Sequence, residues 1–493
     1  MRTAYSVETV RAAERELMAR VPEGALMQRA AAGLAVVCAE VLGKVYGSRV
    51  VLLVGSGDNG GDALYAGARL ARRGAGVSAV LLSPERVHEG GLRALRRAGG
   101  RVVAPDGAEG VLRGAGLVVD GIVGIGGKGG LRAAASQLVG SVRELGVPVV
   151  AVDLPSGVDA DSGVVVGEAV RADVTVTFGA YKPGLLIDPG REYAGVVRLV
   201  DIGLELGGGA GGGAGGGAGG GAGGEVEALQ YADVASLLPM PTGESDKYRR
   251  GVVGIVAGSA RYPGAAVLAV AGALRGGAGA VRYVGHAADA VIARFPETLV
   301  SAGPPSKAGR VQAWVAGPGL GDDAERLADV VGADVPVLID ADGLRLADAG
   351  AVRGRSAPTL LTPHAGEAAA LLGVAREEVE RGRLDAVREL AGRYGATVLL
   401  KGSTTLVAAP GPSGGAAVRV NPTGTPWLAT AGSGDVLSGL AGALLAAGLG
   451  AEDAGAVGAY LHGLAGRHAA DGAPVGAQDV AEAIPAAWRD VRG

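Results

Sequence analysis

The sequence predicts an α/β protein with two doubly wound domains, and three observations support this prediction. First, short Val-rich runs alternate with helix-length segments in both halves of the 493-residue chain. Runs of this kind are typical of parallel strands that helices cover on both faces. Second, a stretch made only of Gly and Ala, residues 207–224, separates the halves. Third, polar residues follow several of the runs, at the strand ends where such sheets bind ligands.

The composition favours a soluble globular protein. The chain is 48% apolar and 19% charged with a net charge of −4, which does not fit a nucleic-acid-binding surface. The first twenty residues carry charges where a signal peptide has an apolar core, and charges or Gly turns interrupt the long apolar runs. The single cysteine, Cys38, excludes an internal disulfide and is predicted to be buried and inert. We therefore expect a cytoplasmic protein without nucleic-acid or membrane partners, and the sequence leaves homo-oligomerisation open.

Residues 207–224 predict a flexible Gly/Ala linker, because side chains no larger than a methyl group cannot bury apolar area. A flexible linker of this length spans roughly 23–25 Å. The linker divides the chain into two predicted domains of ordinary size, residues 1–206 and 225–493.

The first domain is predicted to begin with two helices and to continue with a parallel sheet. Helical spacing indicates a helix in SVETVRAAERELMAR, with Ser6 as its N-cap, and a second in LMQRAAAGLAVVCAEVL. The predicted strands are RVVLLVG, GVSAVLL, LVVDGIVG, VPVVAVDLPSG, ADVTVTFG and GVVRLVDIG.

The second domain repeats this pattern and is predicted to close with two helices, one after Asp435 and one around GAVGAYLHGLAGRHAA. The predicted strands are GVVGIVAG, AVRYVG, VQAWVAGPG, VPVLIDADG, TLLTPH, TVLLKG and TTLVAA.

Three predicted strands of the first domain end in polar residues. GSGDNGGDAL follows the first strand, Asp120 lies in VVDGIVGIGGKGG and Asp153 lies in AVDLPSG. Because the carboxyl ends of parallel strands meet at one edge of a sheet, these residues predict a shared site. Glycines between the polar residues allow a close approach of the backbone to a phosphate. Lys182 in YKPGL either reaches this site or is a turn residue.

The motifs GSGDNGGD, DGIVGIG, DLPSGVDADSG and FGAYKPGL, in this order, make residues 1–206 resemble the NAD(P)HX epimerase domain of the YjeF N-terminal type. The resemblance implies a Rossmann-like three-layer domain that interconverts the R and S epimers of hydrated NADH and NADPH. It also implies that Asn59, Asp120 and Ser156 ligate K⁺, a hard cation suited to oxygen ligands. The residues implied to bind the hydrated nucleotide are Asp58, Asn59, Gly60, Gly61, Asp62, Gly124, Ile125, Gly126, Gly127, Lys128, Gly129, Gly130 and Asp153.

Epimerisation requires the ring hydroxyl to leave and water to return on the other face. The ring nitrogen supplies electrons, so one group that protonates the hydroxyl and later accepts a proton suffices. Asp153, at a strand end, is the predicted catalytic group. The chain departs from the family pattern at Asp58, where the family usually has Asn, and in the loop GIGGKGG, which replaces a GTGL-type loop.

The second domain carries polar or Gly-rich segments at six predicted strand ends. These are GSARYPGAA, the turn 316–321 (AGPGLG), Asp340 and Asp342 in LIDADG, His364 and Glu367 in LTPHAGE, KGSTT (401–405), and GSGD ending at Asp435. Considered singly, His364 could be a helix cap, Asp340 and Asp342 turn residues, and Lys401 a surface charge. Their common position at strand ends favours one site.

The order of these segments over most of residues 247–465 resembles the ribokinase-like superfamily, and within it the ADP/ATP-dependent NAD(P)HX dehydratases of the YjeF C-terminal type. The resemblance implies a ribokinase-like α/β/α domain. His364 stands where sugar kinases of the superfamily begin an Asn-x-x-Glu motif, and it supports the dehydratase branch. The residues implied to contact the hydrated nucleotide are Ala266, Gly319, His364 and Asp435. Those implied to contact ADP or AMP are Lys401, Gly402, Ser403, Thr404, Thr405 and Gly434.

In a kinase of this type an aspartate accepts the proton of the attacking hydroxyl, with Mg²⁺ on the donor phosphates. Asp435 is the predicted base. A phosphate ester on a hydrated nicotinamide ring cannot persist, because the ring nitrogen expels the phosphate. The sequence therefore predicts a bifunctional repair enzyme that epimerises NAD(P)HX and dehydrates the S form at the expense of ADP or ATP.

Two alternatives remain at this stage. The second domain could be a true small-molecule kinase that releases a stable phosphate ester, or the first domain could be a non-catalytic binding module.

Overall fold

The computed structural model describes residues 1–206, 225–411 and 417–493. The predicted linker, residues 207–224, lies outside the described residues. The chain folds into two compact units: Thr3–Glu225, and Val226–Gly493 with Met1–Arg2.

The N-terminal unit is built on a seven-stranded parallel sheet. The strands lie in the order β4-β3-β2-β5-β6-β7-β8. The strands of this part of the chain are β1 (Arg2–Ala4), β2 (Arg49–Val54), β3 (Gly76–Leu81), β4 (Arg101–Val103), β5 (Leu117–Gly121), β6 (Val149–Val152), β7 (Val174–Phe178) and β8 (Val196–Val200). The α-helices are α1 (Val7–Met18), α2 (Ala25–Leu42), α3 (Asp58–Arg72), α4 (Glu89–Arg97), α5 (Ala108–Leu112), α6 (Ala133–Leu145) and α7 (Gly190–Ala194), and Pro84–Arg86, Pro105–Gly107 and Pro183–Leu185 are 3-10 turns.

Two apolar clusters hold this sheet between helices. Val50, Leu52 and Val54 of β2 lie in one cluster with residues of α2 and α3, while Val51 and Leu53 lie in the other with residues of α6. This alternation is the expected one for a strand covered on both faces, because successive side chains point to opposite sides. The predicted Rossmann-like three-layer fold is confirmed.

Helix α2 contains Cys38, which is buried as predicted. Burial raises the pKa of the Cys38 thiol to about 12, which agrees with an inert side chain. By length and composition alone, α2 also qualifies as a membrane span, with a mean hydropathy of 1.5. Its Ala31, Leu34 and Cys38 are fully buried in the core beside the sheet.

The C-terminal unit contains a second, mixed sheet. Its strands are β9 (Val226–Ala228), β10 (Val252–Val256), β11 (Ala280–Val284), β12 (Leu299–Ser301), β13 (Ala313–Ala316), β14 (Val337–Ile339), β15 (Thr359–Leu361), β16 (Thr397–Leu400), β17 (Thr405–Ala408) and β18 (Val418–Asn421). They lie in the order β9-β18-β17-β16-β15-β14-β13-β10-β11-β12. Strand β17 runs antiparallel to both neighbours, because the short turn after Leu400 returns the chain directly beside β16.

Helices cover both faces of this sheet. They are α8 (Tyr231–Leu237), α9 (Pro263–Arg275), α10 (Ala288–Arg294), α11 (Ala324–Val331), α12 (Asp342–Leu346), α13 (Ala349–Arg353), α14 (Ala365–Leu372), α15 (Arg376–Arg381), α16 (Arg383–Tyr394), α17 (Ser433–Ala446), α18 (Ala451–Ala470) and α19 (Ala477–Arg492), with 3-10 turns at Pro305–Lys307 and Pro426–Leu428. The predicted ribokinase-like α/β/α architecture is confirmed.

Helices α9 and α17 pack so closely that glycine is required where they meet. A Cβ on Gly439 would lie 1.9 Å from the Ala269 carbonyl oxygen, and one on Gly272 would lie 2.1 Å from that of Val436. This close approach packs α17 against the core. The first turn of α17 contains Asp435.

We predict that Gly439→Ala destabilises the C-terminal unit by about 1–3 kcal/mol, because the new methyl group overpacks this helix contact. The matched control is Gly392→Ala in α16, where a Cβ meets nothing within 4 Å. The control is expected to be neutral or slightly stabilising, because Ala favours helix. Thermal unfolding of both variants tests this, and an unchanged melting transition for Gly439→Ala would contradict the packing argument.

Candidate active sites

The polar strand ends of the N-terminal unit meet where the strand order reverses. Strands β2, β5 and β6 are neighbours, and the chain continues outward in opposite directions from β2 and β5. In open α/β sheets the carboxyl edge at such a point is the usual ligand site. The segment after β2, Asp120 in β5 and Asp153 after β6 are therefore brought to one edge of the sheet, as predicted.

The turn after β2 is closely packed and leads into α3. A Cβ on Gly55 would lie 1.8 Å from the Ile122 carbonyl oxygen, and one on Gly60 would lie 2.5 Å from that of Gly55. The N-cap of α3 is Gly57, which has no capping side chain. The first N–H groups of α3 consequently lack a side-chain cap, an arrangement suited to binding a phosphate.

Asp153 and Lys182 form a buried ion pair in this site. Lys182 Nζ donates to Asp153 Oδ1 (2.5 Å), to Thr177 Oγ1 (3.0 Å) and to the Phe178 carbonyl (3.2 Å), so all three of its protons are used. Lys182 is only 1% exposed. Of the two roles that the sequence left open for Lys182, the structure therefore supports the one in the site over that of a surface turn residue. Asp153 itself has φ of 67°, an uncommon conformation for a non-glycine residue that aims its carboxylate from the strand end.

Asp120, Ser156 and Asn59 form a second polar group one strand away. Ser156 donates to both oxygens of Asp120, from Oγ at 2.7 Å and from its backbone N–H at 2.8 Å. Burial raises the pKa of Asp120 to about 6 against the lowering effect of these bonds. Asn59 donates to the Val152 carbonyl, and Gly124 leaves room for its amide, because a Cβ there would lie 2.2 Å from Asn59 Oδ1.

The loop 124–130 is shaped by close backbone contacts. A Cβ on Gly130 would lie 2.3 Å from the Val166 carbonyl oxygen, and one on Gly127 would lie 2.3 Å from a methyl carbon of Val123. Ile125 is half-buried, Gly129 has φ of 77° and Lys128 is exposed. Their contacts with the hydrated nucleotide stay predictions.

Two residues of α1 that the sequence analysis missed also face this site. A Cβ on Gly126 would lie 3.1 Å from Arg11 Nη2. Burial raises the pKa of Glu14, with Asp153 and Asp58 adding to the effect and Lys182 and Arg11 opposing it. Arg11 and Glu14 are three residues apart and so share a face of the helix, a spacing that could have drawn attention to them.

The C-terminal unit also gathers its polar strand ends at one edge. Lys401, after β16, donates to Asp340 Oδ1 at 2.7 Å and lies 3.8 Å from Glu367 Oε2. The other oxygen of Asp340 accepts a hydrogen bond from Ser438 Oγ of α17 (2.6 Å). Asp340 is buried and the Lys401 side chain is 19% exposed. The alternatives of a turn residue for Asp340 and a surface charge for Lys401 therefore do not apply. Burial lowers the pKa of Lys401, but Asp340 and Glu367 more than offset this and leave it raised.

Asp435 lies in the first turn of α17 beside this network. Burial and the negative charge of Asp340 raise the pKa of Asp435 to about 7, although Lys401 opposes the shift. The helix begins after Gly432, which has φ of 87° and no capping side chain. A Cβ on Gly434 would lie 3.4 Å from Lys401 Nζ. The carboxylate, the lysine and the uncapped helix N-terminus thus lie together.

His364 is the N-cap of α14. The sequence left this capping role open as an alternative to a role in the site. Its Nδ1 accepts hydrogen bonds from the N–H groups of Gly366 and Glu367, and Glu367 Oε2 accepts one from the His364 N–H (2.7 Å). The ring is 58% exposed, with Nε2 3.6 Å from Glu367 Oε1. This capping orients Glu367 towards Lys401, and contact of His364 with a substrate stays a prediction.

A buried arginine binds backbone carbonyls of the loop 401–405. Arg383 Nη2 donates to the carbonyls of Leu400, Lys401 and Thr404. Thr404 is fully buried, whereas Gly402 and Ser403 are exposed and Thr405 opens β17. Arg383 could not be assigned to this site from the sequence, because no motif connects it with the loop.

Ala266 and Gly319 shape the turns at this edge. Ala266 is fully buried in α9, next to the position that a Cβ on Gly258 would occupy. Gly319 has φ of 58°, and a Cβ there would lie 2.8 Å from Ala265 Cβ. Direct contact of either residue with the hydrated nucleotide stays a prediction.

These folds and sites define a two-domain α/β enzyme with one carboxylate–lysine site in each unit. Residues 253–486 match the family model described as NAD(P)H-hydrate dehydratase, and residues 23–184 match the YjeF-related protein N-terminus.

The chain is 50% identical over 472 residues to the bifunctional NAD(P)H-hydrate repair enzyme Nnr of Mycobacterium leprae, covering 94% of this chain and 93% of that protein. The protein of the same name in Mycobacterium tuberculosis is 50% identical over 466 residues and covers 92% of each. This chain belongs to the family of bifunctional NAD(P)H-hydrate repair enzymes.

A solved structure is also similar to the C-terminal unit. The ADP/ATP-dependent NAD(P)H-hydrate dehydratase of Bacillus subtilis, co-crystallised with ATP and Mg²⁺, is 28% identical, with a TM-score of 0.49. The match covers 53% of this chain and 97% of that one.

We predict that Lys182→Met destabilises the N-terminal unit by about 3–5 kcal/mol, because it leaves the Asp153 carboxylate buried without its cation. Lys182→Met combined with Asp153→Asn is expected to cost less than the two single changes added together. Lys128→Met, at an exposed position, is the control. Thermal unfolding of the four variants measures these differences, and strict additivity would argue against a coupled pair.

Proposed function

We propose that the N-terminal unit interconverts the R and S epimers of hydrated NADH and NADPH, and that the C-terminal unit dehydrates the S epimer at the expense of ADP, with ATP as the alternative donor. Family membership supports both activities. The observation that best supports the second is Asp435, a carboxyl group with a pKa of about 7 beside Lys401 at an uncapped helix N-terminus. A general base works best with a pKa near the operating pH.

In the dehydratase site, Asp435 accepts the proton of the substrate hydroxyl as that oxygen attacks the terminal phosphoryl group of ADP, and AMP leaves. The N–H groups of Gly434 and its neighbours stabilise the negative charge of the phosphoryl group. The ring nitrogen then expels phosphate with both electrons of the C–O bond, and loss of a proton from the adjacent ring carbon restores NAD(P)H.

The adenine nucleotide is assigned to the loop 401–405 and Gly434. The Lys401 side chain donates a hydrogen bond to Asp340, and Arg383 donates hydrogen bonds to the carbonyls of the loop. The Lys401 N–H is bonded to the Pro363 carbonyl, so the N–H groups of the exposed Gly402 and Ser403 are the ones proposed to bind phosphate. Mg²⁺, when bound with the nucleotide, neutralises charge on the phosphates. Asp340 and Glu367, which lie beside Lys401, are carboxylates that would face the Mg²⁺.

In the epimerase site, Asp153 is the proposed catalytic carboxylate. Its ion pair with Lys182 holds the carboxylate in place, where it can accept a proton from the entering water and stabilise the cationic ring formed when the hydroxyl leaves. The nucleotide phosphates are assigned to the N-terminus of α3 and the loop 124–130, where Arg11 adds a positive charge.

We assign K⁺ to Asn59, Asp120 and Ser156. The group offers only oxygen ligands with a single carboxylate, and the groups that act on the buried Asp120 carboxylate in the described residues are Ser156 and the Ile122 N–H, not a cationic side chain.

We predict that replacing K⁺ by a bulky organic cation lowers the epimerisation rate of the full chain and leaves dehydration of purified S-NADHX less affected. A calcium- or zinc-dependent epimerisation, or full activity without any alkali cation, would contradict the assignment. The Asp120→Asn variant should lose the preference for K⁺.

For the dehydratase, we predict that Asp435→Asn abolishes the return of NADH absorbance at 340 nm from S-NADHX and ADP, with a loss of at least about 100-fold in kcat. Epimerisation by the same variant should be unchanged, because Asp435 belongs to the other unit. A variant that retains the full dehydration rate would remove Asp435 from the role of base.

The pH profile gives a second readout of Asp435. A base must be ionised, so the dehydration rate should rise with pH and level off above about 7, the pKa of Asp435. Mass spectrometry of the wild-type reaction completes the test. Phosphate released in step with NADH supports a dehydratase, whereas a stable phosphorylated product would identify a small-molecule kinase.

A further inference from the structure

One oxygen of a buried carboxyl group in the N-terminal unit lacks a hydrogen-bond partner among the described residues. Asp62, in the second turn of α3, is 6% exposed, and the unpaired oxygen is its Oδ1. Buried polar atoms in native proteins almost always have one, so an unpaired oxygen in a ligand site indicates a group awaiting the ligand. This oxygen therefore needs an explanation other than packing.

The charged groups around Asp62 are almost all negative. Asp153 at the end of β6, Asp58 on α3 and Glu14 on α1 all act on it electrostatically. Lys182 acts on Glu14, but its three protons are used by Asp153, Thr177 and Phe178. Arg11 also acts on Glu14, and the ring of His88, the N-cap of α4, lies beside Gly61.

This environment gives the two buried aspartates different charged neighbours. Burial, then the repulsion from Asp153, Asp58 and Glu14, raises the pKa of Asp62 well above its ordinary value. Asp153 has a lysine at 2.5 Å, whereas the charged residues that act on Asp62 in the described part of the chain are carboxylates. These different environments suit Asp62 to act as an acid and Asp153 to act as a base.

We propose that Asp62 is the catalytic acid of epimerisation, donating its proton to the ring hydroxyl as it leaves. This inference rests on the proposed epimerase function and changes one part of it: the sequence analysis gave both proton transfers to Asp153. The C–O bond breaks with its electron pair on oxygen, the Asp62 proton converts the leaving group to water, and the ring nitrogen forms a double bond to the ring carbon.

The return step balances the first. Water adds to the ring carbon, the double bond to nitrogen opens, and the proton released by the water passes to the Asp153 carboxylate. The site has then given one proton and taken one. Transfer of the proton from Asp153 to Asp62 restores the starting state, and no oxidant, reductant or co-reactant is needed.

Asp62→Asn in the full chain tests this directly, because an amide keeps the shape of the side chain without a transferable proton. Conversion of R-NADHX to S-NADHX is followed by chromatography in the absence of ADP. We expect kcat to fall at least about 100-fold with KM changed less than about threefold, since general acids contribute roughly 10²–10⁴. Dehydration of S-NADHX by the same variant takes place in the other unit and should equal that of wild type, and an unchanged thermal unfolding transition is the control for folding of the N-terminal unit.

The pH dependence separates a catalytic from a structural role. The acid must be protonated, so wild-type epimerisation should fall as pH rises through the pKa of Asp62, and this alkaline decline should be missing in Asp62→Asn. Asp62→Glu should retain measurable activity with the decline at a different pH.

The inference is overturned if Asp62→Asn epimerises within threefold of wild type, or if Asp62→Asn and Asp62→Glu both show the wild-type alkaline decline. Failure of the wild-type chain to epimerise NADHX would instead overturn the proposed function of the unit.

Discussion

Each unit of this protein places a lysine in contact with a buried aspartate at the carboxyl edge of its sheet, and this pairing organises both sites. Lys182 binds Asp153 in the first unit and Lys401 binds Asp340 in the second. A carboxylate at a strand end could not remain charged in such a buried position without a cation. Because each lysine is bound to its own aspartate, it only partly offsets the effects that raise the pKa values of the other carboxyl groups nearby.

Asp62 and Asp435 are those other carboxyl groups. Both have raised pKa values for the same two reasons, burial first and then the negative charge of neighbouring carboxylates. The first site thereby combines a carboxyl group whose pKa is raised with a carboxylate bound to a lysine, which suits reversible removal and return of water. The second combines a weakened acid with a lysine and an uncapped helix N-terminus, which suits removal of a hydroxyl proton beside a phosphate. One physical arrangement thus serves two reactions.

Much of this could be predicted from the sequence, since continuous Val-rich runs mark buried strands and polar residues directly after them mark the ligand edge. The strands that were missed, such as β4 and β12, have three residues and mostly exposed side chains, so they lack an apolar signal. The sequence could not show that Lys182 is buried against Asp153 or that Ser438 binds Asp340 from a helix 98 positions away. Glu14, Arg11 and Arg383 were missed for the same reason: helices bring them to a strand edge only in three dimensions.

The central claim, that one chain repairs both epimers through two separate sites, is tested most directly by recovery of NADH from a mixture of R- and S-NADHX. The wild-type chain with ADP should return the whole mixture to NADH faster than the epimers interconvert spontaneously, releasing one phosphate for each NADH. The Asp153→Asn chain should stop quickly at the S fraction and continue only at the spontaneous rate. Recovery of only the S fraction by the wild-type chain, or phosphorylated hydrate in place of NADH, would contradict the account.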